Sequence, residues 1–179
     1  MSKDPKKKSR FRHIGNIAVF TPTEDDVATA YSRSCKMGIP GNTIMKGQGR
    51  MTGLLGEIAV NTYLPQSHYV GDSVWTHDLV HKEKNIEVKS KICSGIPKPE
   101  YTAFVNGKKD MKPENDTFFF TRVRRDFMQV YLVGWIPTKL FLKKADFVSV
   151  GDEAENGFQY KSPGYDILIE QLYAPRSLR

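Results

Sequence analysis

The chain has 179 residues, enough for one domain with a hydrophobic core. Its apolar fraction of 39% and charged fraction of 26% are ordinary for a soluble globular protein. No apolar run of about 18 residues is present, which excludes a membrane-spanning helix. The basic N-terminus also lacks the apolar core of a secretory signal, so we expect a cytoplasmic protein.

The formal net charge of +7 favours polyanionic partners, either nucleic acid or an anionic membrane surface. Charge alone does not decide between them. Cys35 and Cys93 lie far apart and belong to no Cys-x-x-Cys or Cys/His cluster. We therefore expect two thiols and no structural zinc site.

Residues 1–13 (MSKDPKKKSRFRH) are dense in Lys and Arg and almost free of apolar side chains. Such a segment buries too little surface to offset its conformational entropy, so we expect a flexible basic arm that either grips phosphates or is simply solvated. Residues 14–179 are expected to form a single domain.

Two helices are predicted at the start of this domain. A hydroxyl N-cap followed by acidic residues begins the first at Thr21–Asp26, and this helix runs to about Lys36 before the stop signal in residues 38–41. The second helix covers roughly Arg50–Leu64 and carries the apolar sequence GLLGEIAV.

Strands are expected to dominate the rest of the chain. Alternating apolar and polar residues predict a hairpin with a polar turn over residues 81–84, and a Pro- and Gly-containing insertion at about 94–116 is expected to be irregular. A short helix capped by Thr138 should reach about Phe147. The expected strands are Val74–Val80, Asn85–Ile92, Thr117–Val123, Met128–Ile136 and Tyr165–Leu172. This order predicts a mixed α/β or α+β fold with a central sheet flanked by helices.

The predicted hairpin places two carboxylates opposite each other. If its turn is centred between Lys82 and Glu83, residues pair when their numbers sum to 165, so Asp78 faces Glu87. Opposed β-carbons lie about 4.5–5.5 Å apart, where like charges destabilise the pair. Two carboxylates at this separation suit a hard cation such as Mg²⁺ or Mn²⁺.

Alternation also places Glu87 and Lys89 on one face, with Ile86 and Val88 on the other. A lysine beside a metal-binding carboxylate pair can stabilise the charge of a phosphodiester transition state. A solvated hairpin face would carry the same residue types. Glu57 adds a further carboxylate within the most apolar part of the second helix, where it must face solvent, find a partner or bind metal.

The series Gly56-Glu57, Asp78 and Glu87-Val88-Lys89 resembles the PD-(D/E)XK nuclease superfamily, which has the restriction-endonuclease-like fold. The resemblance covers about residues 50–136, although His77 replaces the proline of the family's name. It implies that Asp78 and Glu87 bind Mg²⁺, with the Val88 carbonyl a further ligand and Glu57 a direct or water-mediated one. Lys89 would be the catalytic lysine.

The resemblance implies a magnesium-dependent deoxyribonuclease, in which Mn²⁺ substitutes for Mg²⁺ and a metal-activated water hydrolyses the phosphodiester bond. It also implies DNA as the partner and makes a homodimer a reasonable expectation. The small size, basic arm and insertion resemble phage or mobile-element nucleases, which would place a phage-encoded protein in the host cytoplasm. The expected DNA contacts are Ser90, Lys91, Arg122, Arg124 and Arg125.

Two other function classes remain open at this point. A basic DNA-binding protein could use a degenerate nuclease scaffold without catalysis, and a basic RNA-binding or virion-associated protein would need no metal. Within the enzyme class, a structure-specific junction resolvase, an exonuclease and a site-specific endonuclease are all compatible with one sequence.

Overall fold

Helices and two sheets form stacked layers in the computed structural model, which describes residues 10–37, 48–71, 76–154 and 157–179. No helix in these ranges is long and apolar enough to cross a membrane. In chain order, the elements are β1 (Phe11–Ile14), β2 (Ile17–Phe20), α1 (Glu24–Lys36), α2 (Gln48–Tyr63), β3 (His68–Tyr69), β4 (Leu79–His81), β5 (Lys84–Cys93), β6 (Thr102–Asn106), β7 (Thr117–Arg124), β8 (Val130–Pro137), α3 (Thr138–Lys144), β9 (Asp146–Val148) and β10 (Gly164–Leu168).

The larger sheet has seven strands in the order β1-β2-β8-β7-β5-β4-β3. β5 and β7 pair in parallel, while the other neighbours are antiparallel, so the sheet is mixed. A smaller antiparallel sheet has the order β6-β10-β9. The structure is therefore a mixed α/β fold, as the sequence predicted.

The two faces of the larger sheet are covered by different elements. Ile86 and Val88 of β5 pack with Leu55 and other residues of α2. Phe118 and Phe120 of β7 belong to a second core, formed with the smaller sheet and α3. Because strand side chains alternate between faces, β5 and β7 each contribute to both cores.

The ends of α1 follow from local chemistry. The Thr23 hydroxyl accepts a 3.2 Å hydrogen bond from the Asp26 amide, and the Asp26 carboxylate accepts one of 2.7 Å from the Thr23 amide. This capping box satisfies amides that the first turn leaves unpaired. The predicted helix to Lys36 is confirmed, while its predicted stop in residues 38–41 lies outside the described residues.

A glycine allows α2 to lie directly on the sheet. A β-carbon at Gly56 would lie 2.6 Å from the Thr121 hydroxyl oxygen and closer still to that of Ser90, whereas one at Gly53 would meet nothing within 4 Å. α2 therefore approaches β5 and β7 closely at Gly56. Gly53 has no such role.

The basic N-terminal segment was predicted to be a flexible arm, and this was wrong for its last residues. Phe11–His13 lie in β1, which pairs with β2, and residues 1–9 lie outside the described part of the chain. The Phe11 ring lies 5.1 Å from the rings of both Phe20 and Tyr63. This aromatic packing holds a short basic strand that composition alone assigns to disorder.

Other boundaries also differ from the sequence predictions. The strand predicted over Val74–Val80 is β4, Leu79–His81, and residues 72–75 lie outside the described part of the chain. The insertion at 94–116 contains β6, because Ala103 and Val105 alternate into the second core. The helix that begins at Thr138 ends at Lys144 and is followed by β9, and Thr138 is its first residue rather than its cap. The last predicted strand is confirmed as β10 only to Leu168, beyond which a 3₁₀ turn begins.

Candidate active site

The hairpin of β4 and β5 has the register that the sequence predicted. Its pairs are Leu79 with Ile86, Val80 with Asn85 and His81 with Lys84, and each pair sums to 165. The turn is therefore only Lys82 and Glu83, whose φ angles are 48° and 62°. Two positive φ values in a two-residue loop are typical of a type I′ turn, which matches the right-handed twist of the strands.

Asp78 lies just beyond the last regular pair of this hairpin. Its amide donates a 3.0 Å hydrogen bond to the Ile86 carbonyl, and its Oδ2 accepts a 2.7 Å hydrogen bond from the Val88 amide. The expected direct pairing with Glu87 is not part of the ladder. Instead, the carboxylate of Asp78 reaches across to the backbone between Glu87 and Lys89.

Glu87 and Lys89 share the face of β5 that points away from α2. The Lys89 Nζ lies 2.5 Å from the Glu87 Oε1, and the two side chains are 35% and 19% exposed, respectively. Ile86 and Val88 are buried on the opposite face. The predicted division of the hairpin into an apolar face and a charged face is therefore confirmed.

Asp78 and Glu87 are close enough to repel each other. The pKa of Asp78 is raised to about 6, first because the carboxyl is buried and then because of the negative charge of Glu87. The Val88 amide, Lys89 and Arg33 act in the opposite direction without cancelling this effect. The Asp78 carboxyl is therefore held where its charged form is disfavoured, next to a second carboxylate.

This donor set fits a hard divalent cation. Carboxylate and carbonyl oxygens are the ligands that Mg²⁺ and Mn²⁺ prefer. The N–H and C=O of a strand residue point to the same neighbouring strand, so the Val88 carbonyl faces the side of β5 on which Asp78 lies. Within the described ranges, no three His, Cys, Asp or Glu side chains converge on one point. Mg²⁺ commonly uses one or two carboxylates and retains several waters.

Glu57 lies in a cluster that the sequence did not reveal. Its Oε2 is 3.5 Å from the Arg33 Nη1, and the Arg33 guanidinium lies 5.0 Å from the centre of the Tyr69 ring. Burial and then the charge of Glu57 raise the pKa of Tyr69, and Asp78 adds to this effect. Arg33 therefore links Glu57 electrostatically to Asp78, while metal binding by Glu57 stays a prediction.

No sequence signal marks Arg33 or Tyr69 as part of this cluster. Arg33 is one of two basic residues in the last turn of α1, where cations commonly complement the helix dipole. Its contact with Glu57 depends on how α1 packs on α2. Tyr69 enters through the two-residue strand β3, which was not predicted.

The predicted DNA-contacting residues fall into separate groups. Lys91 and Arg122 are register neighbours on the Glu87 and Lys89 face, and Arg122 donates a hydrogen bond to the Thr102 carbonyl. Ser90 points to the other face, where its hydroxyl shares a 2.8 Å hydrogen bond with that of Thr121 beneath Gly56. Its position does not favour a phosphate contact.

The remaining two arginines lie at the end of β7. The Arg124 Nη2 is 2.5 Å from the Asp126 Oδ2, which partly offsets its charge. Arg125 is exposed in the turn between β7 and β8, and its amide donates to the Cys93 carbonyl. Both stay predicted phosphate contacts at the periphery of the charged face.

Lys89 lines two neighbouring depressions. The smaller, about 330 Å³, also includes Glu87, Thr76 and Lys112 in its walls. The larger, about 730 Å³, extends along the remainder of β5 towards β6 and includes Lys91 and Arg122. Lys89 therefore lies between two open volumes and Glu87 borders the smaller one, which gives a substrate access to both side chains.

Comparison of the chain with protein-family models and with curated proteins found no match. The residues and their geometry therefore provide the basis for a functional proposal.

Proposed function

We propose that the protein is a divalent-metal-dependent deoxyribonuclease with a restriction-endonuclease-like core, and that it hydrolyses DNA phosphodiester bonds at Asp78, Glu87 and Lys89. The observation that carries this proposal is that the Asp78 carboxylate lies at the Val88 amide, where it repels Glu87, while Glu87 is paired with Lys89. A solvated hairpin face has no need to hold Asp78 across the strand at the Val88 amide.

The order of elements around the hairpin also supports a restriction-endonuclease-like core. α2 precedes the hairpin and packs against β5, and β7 extends the sheet beside β5 in parallel. Glu57 on α2 forms an ion pair with Arg33, and the charge of Arg33 also acts on Asp78. These features agree with the resemblance carried by Gly56-Glu57, Asp78 and Glu87-Val88-Lys89.

Asp78, Glu87 and the Val88 carbonyl would hold the cation. When bound, Mg²⁺ would lower the pKa of a water and neutralise charge on the phosphate. Burial and the neighbouring charge of Glu87 raise the pKa of Asp78, and a bound cation would relieve both effects by neutralising the carboxylate.

Lys89 supplies a positive charge beside the two carboxylates. Its ammonium is held 2.5 Å from Glu87, where it is positioned to donate to a phosphate oxygen as negative charge develops. In the hydrolysis, the water oxygen forms a bond to phosphorus and the bond from phosphorus to one sugar oxygen breaks. The products are a phosphate monoester and a hydroxyl group.

The net charge of +7 supports a DNA substrate, since cations that contact phosphates release counterions and strengthen binding. Lys91 and Arg122, on the same face as Lys89, continue the positive charge beyond the hairpin.

The experiment is cleavage of supercoiled plasmid and of branched DNA, with Mg²⁺ and with EDTA. We expect cleavage with Mg²⁺, none with EDTA, and a loss of about 10²–10³-fold in rate for Lys89→Ala. Lys84→Ala is the matched control, because Lys84 is an exposed lysine at the other end of the same strand. Equal behaviour of wild type and Lys89→Ala in both conditions would overturn the proposal in favour of a non-catalytic DNA-binding protein.

A further inference from the structure

The larger depression beside Lys89 is a cleft between the two sheets. Its volume is about 730 Å³, and its walls come from the second half of β5, from β6, from Phe158 and from residues 160–162. One end is Lys89, so the cleft continues directly from the candidate active site. Volumes of about 300–1,000 Å³ hold a single drug-sized molecule, which corresponds to a short piece of one nucleic-acid strand.

Cations line the floor of this cleft. Lys91 and Arg122 lie side by side on β5 and β7, and burial lowers the pKa of each, with Arg122 further lowering that of Lys91. Asp166 is the nearby acid, and its carboxylate accepts a hydrogen bond from the Tyr160 hydroxyl. Two cations beside one engaged carboxylate leave a positive surface in a partly desolvated space, which suits an anion such as a phosphate group.

Aromatic rings line the wall and mouth of the same cleft. Phe158 is 47% exposed and Tyr101 is 45% exposed. The Phe158 ring lies 5.4 Å from that of Tyr160, which in turn lies 5.6 Å from that of Phe104. The Lys91 Nζ lies 5.2 Å from the centre of the Phe158 ring, so a positive charge and an exposed ring lie side by side in the cleft.

We propose that this cleft binds unpaired nucleotides of a DNA strand adjacent to the bond cut at Lys89, so that the substrate of the enzyme is DNA with a single-stranded segment. This inference rests on the proposed nuclease function and adds the substrate class.

A surface that combines cations with exposed aromatic rings favours a single strand over a duplex. In a duplex the faces of the bases are covered by their neighbours, so aromatic side chains stack only on bases that are unpaired or turned out of the helix. Residues two apart on a strand are separated by about 6.6 Å, so Lys89 and Lys91 can face successive parts of one sugar-phosphate chain. Glu100 also lines the cleft, but it is exposed and lies 3.8 Å from Lys98.

Binding is tested separately from cleavage, by fluorescence anisotropy in EDTA. The ligands are a labelled oligothymidylate of about ten nucleotides, a length that such grooves cover, and a blunt duplex of equal length. We expect the single strand to bind more tightly. Phe158→Ala should weaken its binding by about 5–150-fold, because stacking contributes about 1–3 kcal/mol per base, while Phe158→Trp should retain it.

The contribution of charge to binding is measured separately, from the dependence of the affinity on salt. Lys91→Gln should reduce the slope of log affinity against log salt by about 0.7, the value for one phosphate contact to a single strand. Lys139→Gln is the matched control, since Lys139 is an exposed lysine on α3 and should leave the slope unchanged. Both substitutions remove one positive charge, so a general effect of net charge would appear in both variants.

Several results would overturn the inference. These are equal affinity for the duplex and the single strand, equal affinity for thymidine monophosphate and the oligonucleotide, or equal competition by heparin, which offers charge without bases. Magnesium-dependent cutting of fully paired DNA, unchanged by Phe158→Ala, would leave the nuclease proposal standing and refute this one. Single-strand binding that depends on Phe158, without any cleavage, would refute the nuclease proposal and with it the substrate class, leaving only a cleft that binds single strands.

Discussion

The carboxylate of Asp78 accepts a 2.7 Å hydrogen bond from the backbone amide of Val88. The bond joins the acid that precedes β4 to the centre of β5, between the two charged residues Glu87 and Lys89. An amide donor stabilises a carboxylate, yet the pKa of Asp78 is still raised to about 6 because burial and the charge of Glu87 outweigh the donor. The buried carboxylate beside Glu87 therefore lowers the stability of the fold at neutral pH.

This relationship predicts that Asp78→Asn stabilises the metal-free protein at neutral pH. The pKa of Asp78 is higher in the folded chain than its ordinary value of 3.8, so the folded state binds the proton more tightly. Stability therefore falls as pH rises from about 4 to about 6. Asparagine retains an oxygen for the Val88 amide and carries no charge, so we expect a gain of about 1–3 kcal/mol above about pH 7.

The measurement is the free energy of unfolding in urea with EDTA, from about pH 4 to about pH 8. The gain should vanish at the acidic end, where Asp78 is protonated in the wild type. Glu83→Gln removes an exposed carboxylate from the turn of the same hairpin and should show little change across the range. A loss of stability for Asp78→Asn at neutral pH would contradict the expectation.

The hairpin was predictable because its determinants are local. Alternation assigns faces over Asn85–Ile92, and the polar turn fixes the register once its centre is known. Gly56, a glycine within an apolar helix, is also a local indication that α2 contacts the sheet closely. Glycine is costly in that setting, which points to a packing use.

Other features depend on long-range packing and left no local signal. Phe11 is kept in β1 by rings from β2 and α2. β6 is a strand because Ala103 and Val105 meet a second core, although its surroundings contain prolines and charges. The ion pair of Arg33 with Glu57 joins residues of two helices, and sequence spacing gives no information about that meeting.

Substitution of the two α2 glycines by alanine should have opposite effects. Gly53→Ala adds a methyl group in open space and should stabilise the protein by about 0.5–1 kcal/mol, because glycine is unfavourable in helices. Gly56→Ala places a β-carbon against the hydroxyls of Ser90 and Thr121. It should destabilise by about 1–3 kcal/mol, as overpacking does.

Urea denaturation of both variants checks this pair. The two substitutions are chemically identical and lie three residues apart in one helix, so helix propensity cancels in the comparison. Equal shifts of the unfolding midpoint would show that the contact of Gly56 with β5 and β7 is not close.

The turn of the hairpin offers a stabilising substitution. Glu83 has a φ of 62°, a left-handed conformation that costs a residue with a side chain about 1–2 kcal/mol. Glycine adopts it freely, and the second position of a type I′ turn favours glycine. Glu83→Gly should therefore raise the free energy of unfolding by about 0.5–1 kcal/mol after the added entropy of the unfolded chain is counted.

Glu83→Ala separates backbone conformation from loss of the side chain. Alanine removes the carboxylate but keeps the β-carbon, so the alanine variant should gain much less than the glycine variant in the same urea titration. A gain of equal size would show that the carboxylate, rather than the positive φ, is the source of the strain.

Substitution of Glu57 tests whether the site extends beyond the hairpin. Its carboxylate lies 3.5 Å from the Arg33 guanidinium, and Arg33 acts on the pKa of Asp78. Residues that position metal ligands typically contribute about 10–100-fold to activity or metal affinity. We expect a loss of this size in magnesium-dependent cleavage for Glu57→Gln, while Glu170→Gln, which changes an exposed carboxylate, should cleave normally.

Arg33→Gln decides whether Glu57 acts through the arginine. If the ion pair works as a unit, the two single variants lose similar activity and the double variant loses no more than either, because coupled residues are not additive. A direct metal ligand behaves differently: Glu57→Gln would then weaken Mn²⁺ binding measured by calorimetry, and Arg33→Gln would not. Multiplying losses in the double variant would contradict the coupling of Glu57 to Asp78 through Arg33.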